Sequence, residues 1–178
     1  MDESISLQRV CYTANSETFQ IRPIGDLVKQ YIQISNCSVD CFSRNNKWAH
    51  ITNDLNTNTA ADYHLDVRDF LLHLERDSKT PDLVIFDPPY SPRQIKECYQ
   101  GIGLSLSQKD TQRVGRWTEE KKIIERITAP GAVFIQCGWS SYGISGWPIE
   151  RLILVNHGAG HYDTICLVQR KPAQRLQF

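Results

Sequence analysis

The sequence predicts an α/β fold with a mostly parallel sheet closed by a C-terminal antiparallel hairpin. Three observations predict it. Short apolar runs recur with helical or long crossover segments between them, which is the pattern of a parallel sheet. Two such runs near the C-terminus, 149–156 and 161–171, are separated only by a short stretch centred on "HGAG", which reads as a hairpin. Four acids, Asp40, Asp54, Asp66 and Asp87, lie at or near the ends of predicted strands. Open sheets bind ligands at the carboxyl ends of their strands, so these acids are placed to line one cleft.

The elements follow in order. "IGDLVKQYI", 24–32, has apolar residues at helical spacing after Pro23. "CSVDCF" (37–42), "AHITND" (49–54) and "ADYHLD" (61–66) read as three strands, and "VRDFLLHLERD" (67–77) as a helix. "DLVIFD", 82–87, is the most apolar of the early strands. "TEEKKIIERIT", 118–128, reads as an amphipathic helix with Thr118 as cap and acids in its first turn. After the "PG" turn, "AVFIQCGW" is a fifth strand, and the two hairpin strands follow.

The 178 residues suit one domain spanning 1–178. Apolar residues are 40%, charged residues 22%, and the formal net charge is zero, as in an ordinary globular protein. Neutrality neither supports nor excludes nucleic-acid binding, because a local basic patch suffices. No apolar run approaches the length of a membrane span, and "MDESISLQRV" does not read as a signal peptide. The six scattered cysteines contain no CxxC pair and read as reduced thiols, so the expected location is cytoplasmic.

The chemistry concentrates in "VIFDPPYSPR", 84–93. Each proline fixes its own φ and holds the preceding residue out of the helical region, so Pro88 and Pro89 make a rigid corner. They have no N–H, and Asp87 adds an acceptor-only carboxylate. Such a fixed cluster of acceptors, with Tyr90 beside it as an aromatic plate, suits a planar amino group on a ring.

Asp-Pro-Pro-Tyr after an apolar strand resembles the catalytic motif of the S-adenosylmethionine-dependent DNA amino-methyltransferases, of adenine-N6 or cytosine-N4 type. The resemblance runs from about 19 to 170. It implies a single Rossmann-like class I methyltransferase domain, S-adenosyl-L-methionine as cofactor, and Asp87, Pro88, Pro89 and Tyr90 as catalytic residues. "FQIRPIGDLVKQYI", with Pro23 and Ile24, is similar to the segment that contacts the methionine part of the cofactor. "VDCFSRNNKWA", with Asp40, Phe42, Arg44 and Asn45, occupies the place of the family's glycine-rich cofactor loop, but has no glycine. Asparagine is the best substitute for left-handed geometry, and Arg44, Asn45 or both are expected to reach the cofactor's carboxylate. "TNDLN" is similar to the segment whose acid, here Asp54, binds the ribose hydroxyls, with Leu55 as a neighbouring cofactor contact, and "HLDVRDFL", with Asp66 and Val67, is similar to the segment beside the cofactor's adenine.

The resemblance also implies a mechanism. The amino nitrogen of adenine has its lone pair delocalised into the ring. Hydrogen bonds from its protons to Asp87 and a proline-region carbonyl would localise that pair and stabilise the positive charge that develops during transfer. A paired base must be flipped out to reach such a pocket. Methylation of DNA at adenine N6 is therefore the leading reading, with no metal. The segment 91–117 carries Arg93, Lys96, Lys109, Arg113 and Arg116 against Glu97 and Asp110, and reads as a DNA-binding loop or lid over the cleft. Arg93, Lys96, Arg113 and Arg116 are the candidate phosphate contacts. RNA adenine, DNA cytosine N4, a protein amide, and a non-catalytic module with a degenerate cofactor loop stay open as alternatives, as do a homodimer and a separate specificity partner. His157, His161 and Asp163 lie in the hairpin and not at metal-ligand spacing on a helix, and Trp139 and Trp147 read as core and lid residues.

Overall fold

The computed structural model describes residues 4–103, 116–158 and 160–173. The described strands are β1 (Ser6–Cys11), β2 (Ser38–Asp40), β3 (Ile51–Thr52), β4 (Leu83–Phe86), β5 (Val133–Gly138), β6 (Ile149–Asn156) and β7 (Thr164–Arg170). They form one sheet in the order β1-β6-β7-β5-β4-β2-β3. Neighbours are parallel except at β5–β7 and β6–β7, so the hairpin expected at the C-terminus is present.

Helix α1 (Arg22–Gln33) buries Ile24, Gly25, Leu27 and Val28 on one face of the sheet. There it meets Leu83 and Ile85 of β4 and Val133, Ile135 and Cys137 of β5. Gly25 is required: a Cβ there would lie 2.2 Å from the Phe19 carbonyl oxygen. Helices α2 (Val67–Arg76) and α4 (Thr118–Ile127) pack on the opposite face. Their apolar rows, Phe70, Leu71 and Leu74 with Ile123, Ile124 and Ile127, enclose Val84, Phe86 and Phe134. Alternation of side chains along β4 and β5 thus feeds two cores, one on each face. No described helix is long and apolar enough to cross a membrane.

Several elements differ from expectation. Residues 61–66 form no strand and contribute only the isolated bridge Asn53–Tyr63. Backbone bonds join Asp62 and Tyr63 to Thr52 and Asp54 to Tyr63, and side chains take over from there: the Asp62 carboxylate accepts from the Thr52 backbone N–H, and the Asn53 amide bonds both the N–H and the C=O of Leu65. Such side-chain bonding competes with a ladder. Residues 92–101 are not a loop but helix α3 (Pro92–Gly101), started by a capping box between Ser91 and Gln94. Helix α4 is preceded not by a capping Thr118 but by Trp117, at φ 50°, and Thr118 is its first residue. The N-terminal strand β1 runs parallel to β6 along the sheet edge. Lys109, Asp110 and Arg113 lie outside the described residues.

Candidate active site

The carboxyl ends of the central parallel strands are aligned by register. Asp40 pairs with Ile85 and with Thr52, and Phe86 pairs with Gln136. Asp40, the end of β3 leading to Asp54, and Asp87 therefore open onto the same edge.

Asp40 is 2% exposed and accepts a hydrogen bond from the Phe42 N–H at 3.1 Å. Burial, with Asp87 and Asp54 adding negative charge, raises its carboxyl to about 8, against the pull of the Phe42 bond. Asp54 accepts from the Arg44 N–H at 3.0 Å and the Asn56 N–H at 2.8 Å. The glycine-free loop keeps the turn that glycine would give: Arg44 takes φ 51°. Its guanidinium donates to the Ser16 carbonyl at 2.9 Å and also acts electrostatically on Asp87. Asn45 is turned away to the following loop, where its amide oxygen accepts from the Ala60 N–H at 3.0 Å.

The Asp-Pro-Pro-Tyr corner leaves β4 and runs straight into α3. Gln94, the capping-box residue, accepts from the Tyr90 N–H at 2.6 Å, so the helix start pins the corner. The Tyr90 hydroxyl donates to the Asp87 carboxylate and lies 3.1 Å from the Thr18 hydroxyl. Burial raises the Asp87 carboxyl, while the bonds from Tyr90 and Thr18 and the Arg44 charge oppose the rise. Burial and the Asp87 charge push the Tyr90 phenol well above its ordinary value, so it stays a neutral donor.

Beside the corner is a cavity of about 290 Å³ lined by Pro88, Pro89, Tyr90, Arg116, Trp117, residues 136–140 of β5 and its exit loop, and Tyr142. Two features hold that loop. The Gln169 amide bonds Ile144 at its N–H and C=O and also the Trp147 C=O, and the buried Lys121 amine donates to the Tyr142 carbonyl. Trp147 is core, whereas Trp139 is 42% exposed and stands between Tyr90, at 6.0 Å, and Tyr162, at 4.7 Å between ring centroids. His157 bonds Tyr12 and Thr164, and no group of metal-ligating residues occurs among the described residues.

The other sequence candidates divide. Phe42 packs edge-on against Phe86 and Trp117, next to the cavity. Ile24 is fully buried in the core, with Pro23 beside it in the first turn of α1, so Ile24 offers no surface to a ligand. Asp66 caps α2 through the Arg68 N–H at 2.9 Å, Val67 is buried at the start of that helix, and Leu55 is partly buried. Arg93 is paired with Glu97 on the exposed side of α3, Lys96 is exposed on the same helix, and Arg116 is exposed at the cavity rim. Ser16, Thr18, Gln94, Gln136 and Trp139 were not singled out by sequence as site residues. Gln94 alone carried a signal, the Ser-Pro-x-Gln box.

No protein-family model matches the sequence, and no curated protein matches it. Solved structures do resemble it. One is NodS, an N-methyltransferase from Bradyrhizobium japonicum WM9, at 8% identity and TM-score 0.57, covering 89% of this chain and 99% of NodS. The chain has a methyltransferase Rossmann-like fold. It is also similar to SMU.776 complexed with SAH, at 14% identity and TM-score 0.53, covering 80% of this chain and 48% of SMU.776. TrmN from Thermus thermophilus gives 12% identity and TM-score 0.53, covering 83% of this chain and 48% of TrmN. The chain spans about half the length of these last two proteins.

Proposed function

We propose that the chain transfers a methyl group from S-adenosylmethionine to an exocyclic amino group in DNA, with adenine N6 as the leading target. The observation that carries this reading is the rigid Asp-Pro-Pro-Tyr corner at the carboxyl end of β4, its partly buried carboxylate next to an aromatic-walled cavity.

The residues fit the cofactor. Ser43, in the loop after β2, is 3% exposed, and its buried hydroxyl has no hydrogen-bond partner among the described residues. Each Asp54 oxygen accepts one backbone N–H and keeps a lone pair for a ribose hydroxyl. Asp40, Ser43, Arg44 and Asp54 would hold the cofactor, which when bound supplies an electrophilic methyl group on a sulfonium. Asp87 would accept a proton of the target amino group, localise the nitrogen lone pair and stabilise the positive charge that grows there. Tyr90 tunes Asp87: its hydroxyl bond steadies the ionised form, and its ring forms a wall for the base. Burial of the corner excludes water that would compete for the same acceptor.

A nucleobase fits better than a protein amide because exposed rings continue outward from the cavity. Trp139 and Tyr162, the latter 73% exposed, offer stacking surface to bases flanking the target. Arg116 and Lys96 are available to phosphates. The test is transfer of labelled methyl to DNA, RNA and protein offered separately with the same cofactor. Label in DNA is expected; label in RNA or protein alone would reassign the substrate, and label in none would remove the activity.

A further inference from the structure

Gln136 is one of two buried polar side chains on its face of the central strands, the other being Gln169, the register partner of Phe134. Phe134 precedes Gln136 on that face, and Phe86 is its register partner on β4, both fully buried. Gln136 itself is 4% exposed, it lines the cavity beside Pro88 and Tyr90, and its amide oxygen is buried with no hydrogen-bond partner. A buried unsatisfied carbonyl is costly to a fold, and an apolar side chain of the same size would remove that cost. Its sister residue Gln169, on β7, shows what a structural glutamine does in this protein, since its amide oxygen accepts one backbone N–H and its nitrogen donates to two carbonyls. Among the described residues Gln136 accepts nothing at the equivalent atom. Its oxygen is free for a donor that a bound molecule would bring.

We infer that Gln136 is the specificity-determining residue of this cavity, its amide oxygen accepting an N–H from the amino-bearing edge of the reacting base. The inference rests on the reading of the cavity as the base pocket. The surroundings define that donor. The cavity is small, about 290 Å³ against roughly 300–1,000 Å³ for small-molecule sites, and is lined by Tyr90, Trp117 and Trp139, which suits one planar ring. The acceptors on its β4 and β5 sides, the Asp87 corner and Gln136, are matched to the two N–H donors of an exocyclic amino group. Adenine, cytosine and guanine carry such a group; thymine does not. A base entering the pocket would satisfy Gln136 as it meets the Asp87 corner, so the wrong base leaves the Gln136 oxygen buried and unpaired. Discrimination by unpaired buried groups is the strong kind.

The experiment uses the full chain with S-adenosylhomocysteine present. Two probes are titrated, a short single-stranded oligothymidylate with one central adenine and the same oligonucleotide without it. Wild type, Gln136→Leu and Gln136→Met are compared, each also by thermal melting. Wild type is expected to prefer the adenine probe. Both variants should bind that probe about tenfold more weakly, bind the all-thymine probe as wild type does, and melt at the same temperature or higher. Equal preference for adenine in wild type and variants would overturn the inference. So would variants that melt several degrees lower, because the carboxamide would then be holding the fold, and so would a wild type that binds neither probe in the cavity. Methyl transfer by wild type is measured in parallel. Preference for adenine without transfer would leave Gln136 in its role and remove the catalytic reading instead.

Discussion

Replacing Asp40 with asparagine should stabilise the protein at neutral pH and do nothing at pH 4. Asp40 is buried at the end of β2, and its carboxyl is raised from 3.8 to about 8 by burial first and by the neighbouring acids Asp87 and Asp54 second. The folded state therefore keeps a proton that the unfolded chain gives up near pH 4. Between about 4 and 8 the unfolded state binds fewer protons, so stability falls as pH rises and levels off above 8. At 1.36 kcal/mol for each pH unit, the penalty is about 4 kcal/mol at pH 7. Asparagine resembles the protonated carboxyl: its oxygen can still accept from the Phe42 N–H, and it carries no charge to bury. A chain of this size shifts its melting temperature by roughly 2–4 °C per kcal/mol, so Asp40→Asn should melt on the order of 10 °C higher at pH 7. The assay is thermal melting without cofactor at intervals from pH 4 to 8, wild type against variant. The two curves should meet near pH 4 and diverge upward. Parallel curves, or a variant less stable throughout, would refute the argument that Asp40 is buried with a proton it resists losing.

Two further outcomes follow from the bonds at the site. Tyr90→Phe removes the hydroxyl that donates to Asp87 and lowers its pKa, so the acid limb of the pH–rate profile should move to higher pH, with turnover reduced at pH 6 more than at pH 8; an unmoved limb would mean that the hydroxyl does not act through Asp87. Asp54→Ala should weaken S-adenosylmethionine by about 1.5–3 kcal/mol in calorimetry and also free the Arg44 and Asn56 N–H groups; unchanged affinity in a folded variant would remove Asp54 from the cofactor site.

Much of this architecture is legible in the sequence because it is periodic. The apolar rows of α1, α2 and α4 and the runs of β4 to β7 carry their burial in their spacing. The corner at 87–90 is legible because proline restricts the backbone wherever it occurs. What was not legible depends on partners. Strand β1 is exposed along nearly its whole length and joins the sheet only because β6 leaves an edge open, so "SLQRVC" carries little apolar pattern of its own. Residues 61–66 alternate like a strand, yet Asp62 and Asn53 make the side-chain bonds that end the ladder. Helix α3 announced itself in Ser91-Pro92-x-Gln94, but the charge of the segment drew the reading toward a loop. Gln136 sits in an unbroken buried strand, and only its missing partner in three dimensions sets it apart.

The most direct test of amino-group methylation at the Asp-Pro-Pro-Tyr corner is mass spectrometry of nucleosides. DNA is incubated with S-adenosylmethionine carrying a deuterated methyl and with either wild type or Asp87→Ala, then digested. Wild type should give deuterated N6-methyladenine. Asp87→Ala, with its fold intact and cofactor affinity within a few fold, should give roughly ten- to a hundred-fold less, the equivalent of a charge-assisted hydrogen bond of about 1.5–3 kcal/mol in the transition state. Equal yields from the two proteins, or label on a carbon or a ring nitrogen, would contradict the account.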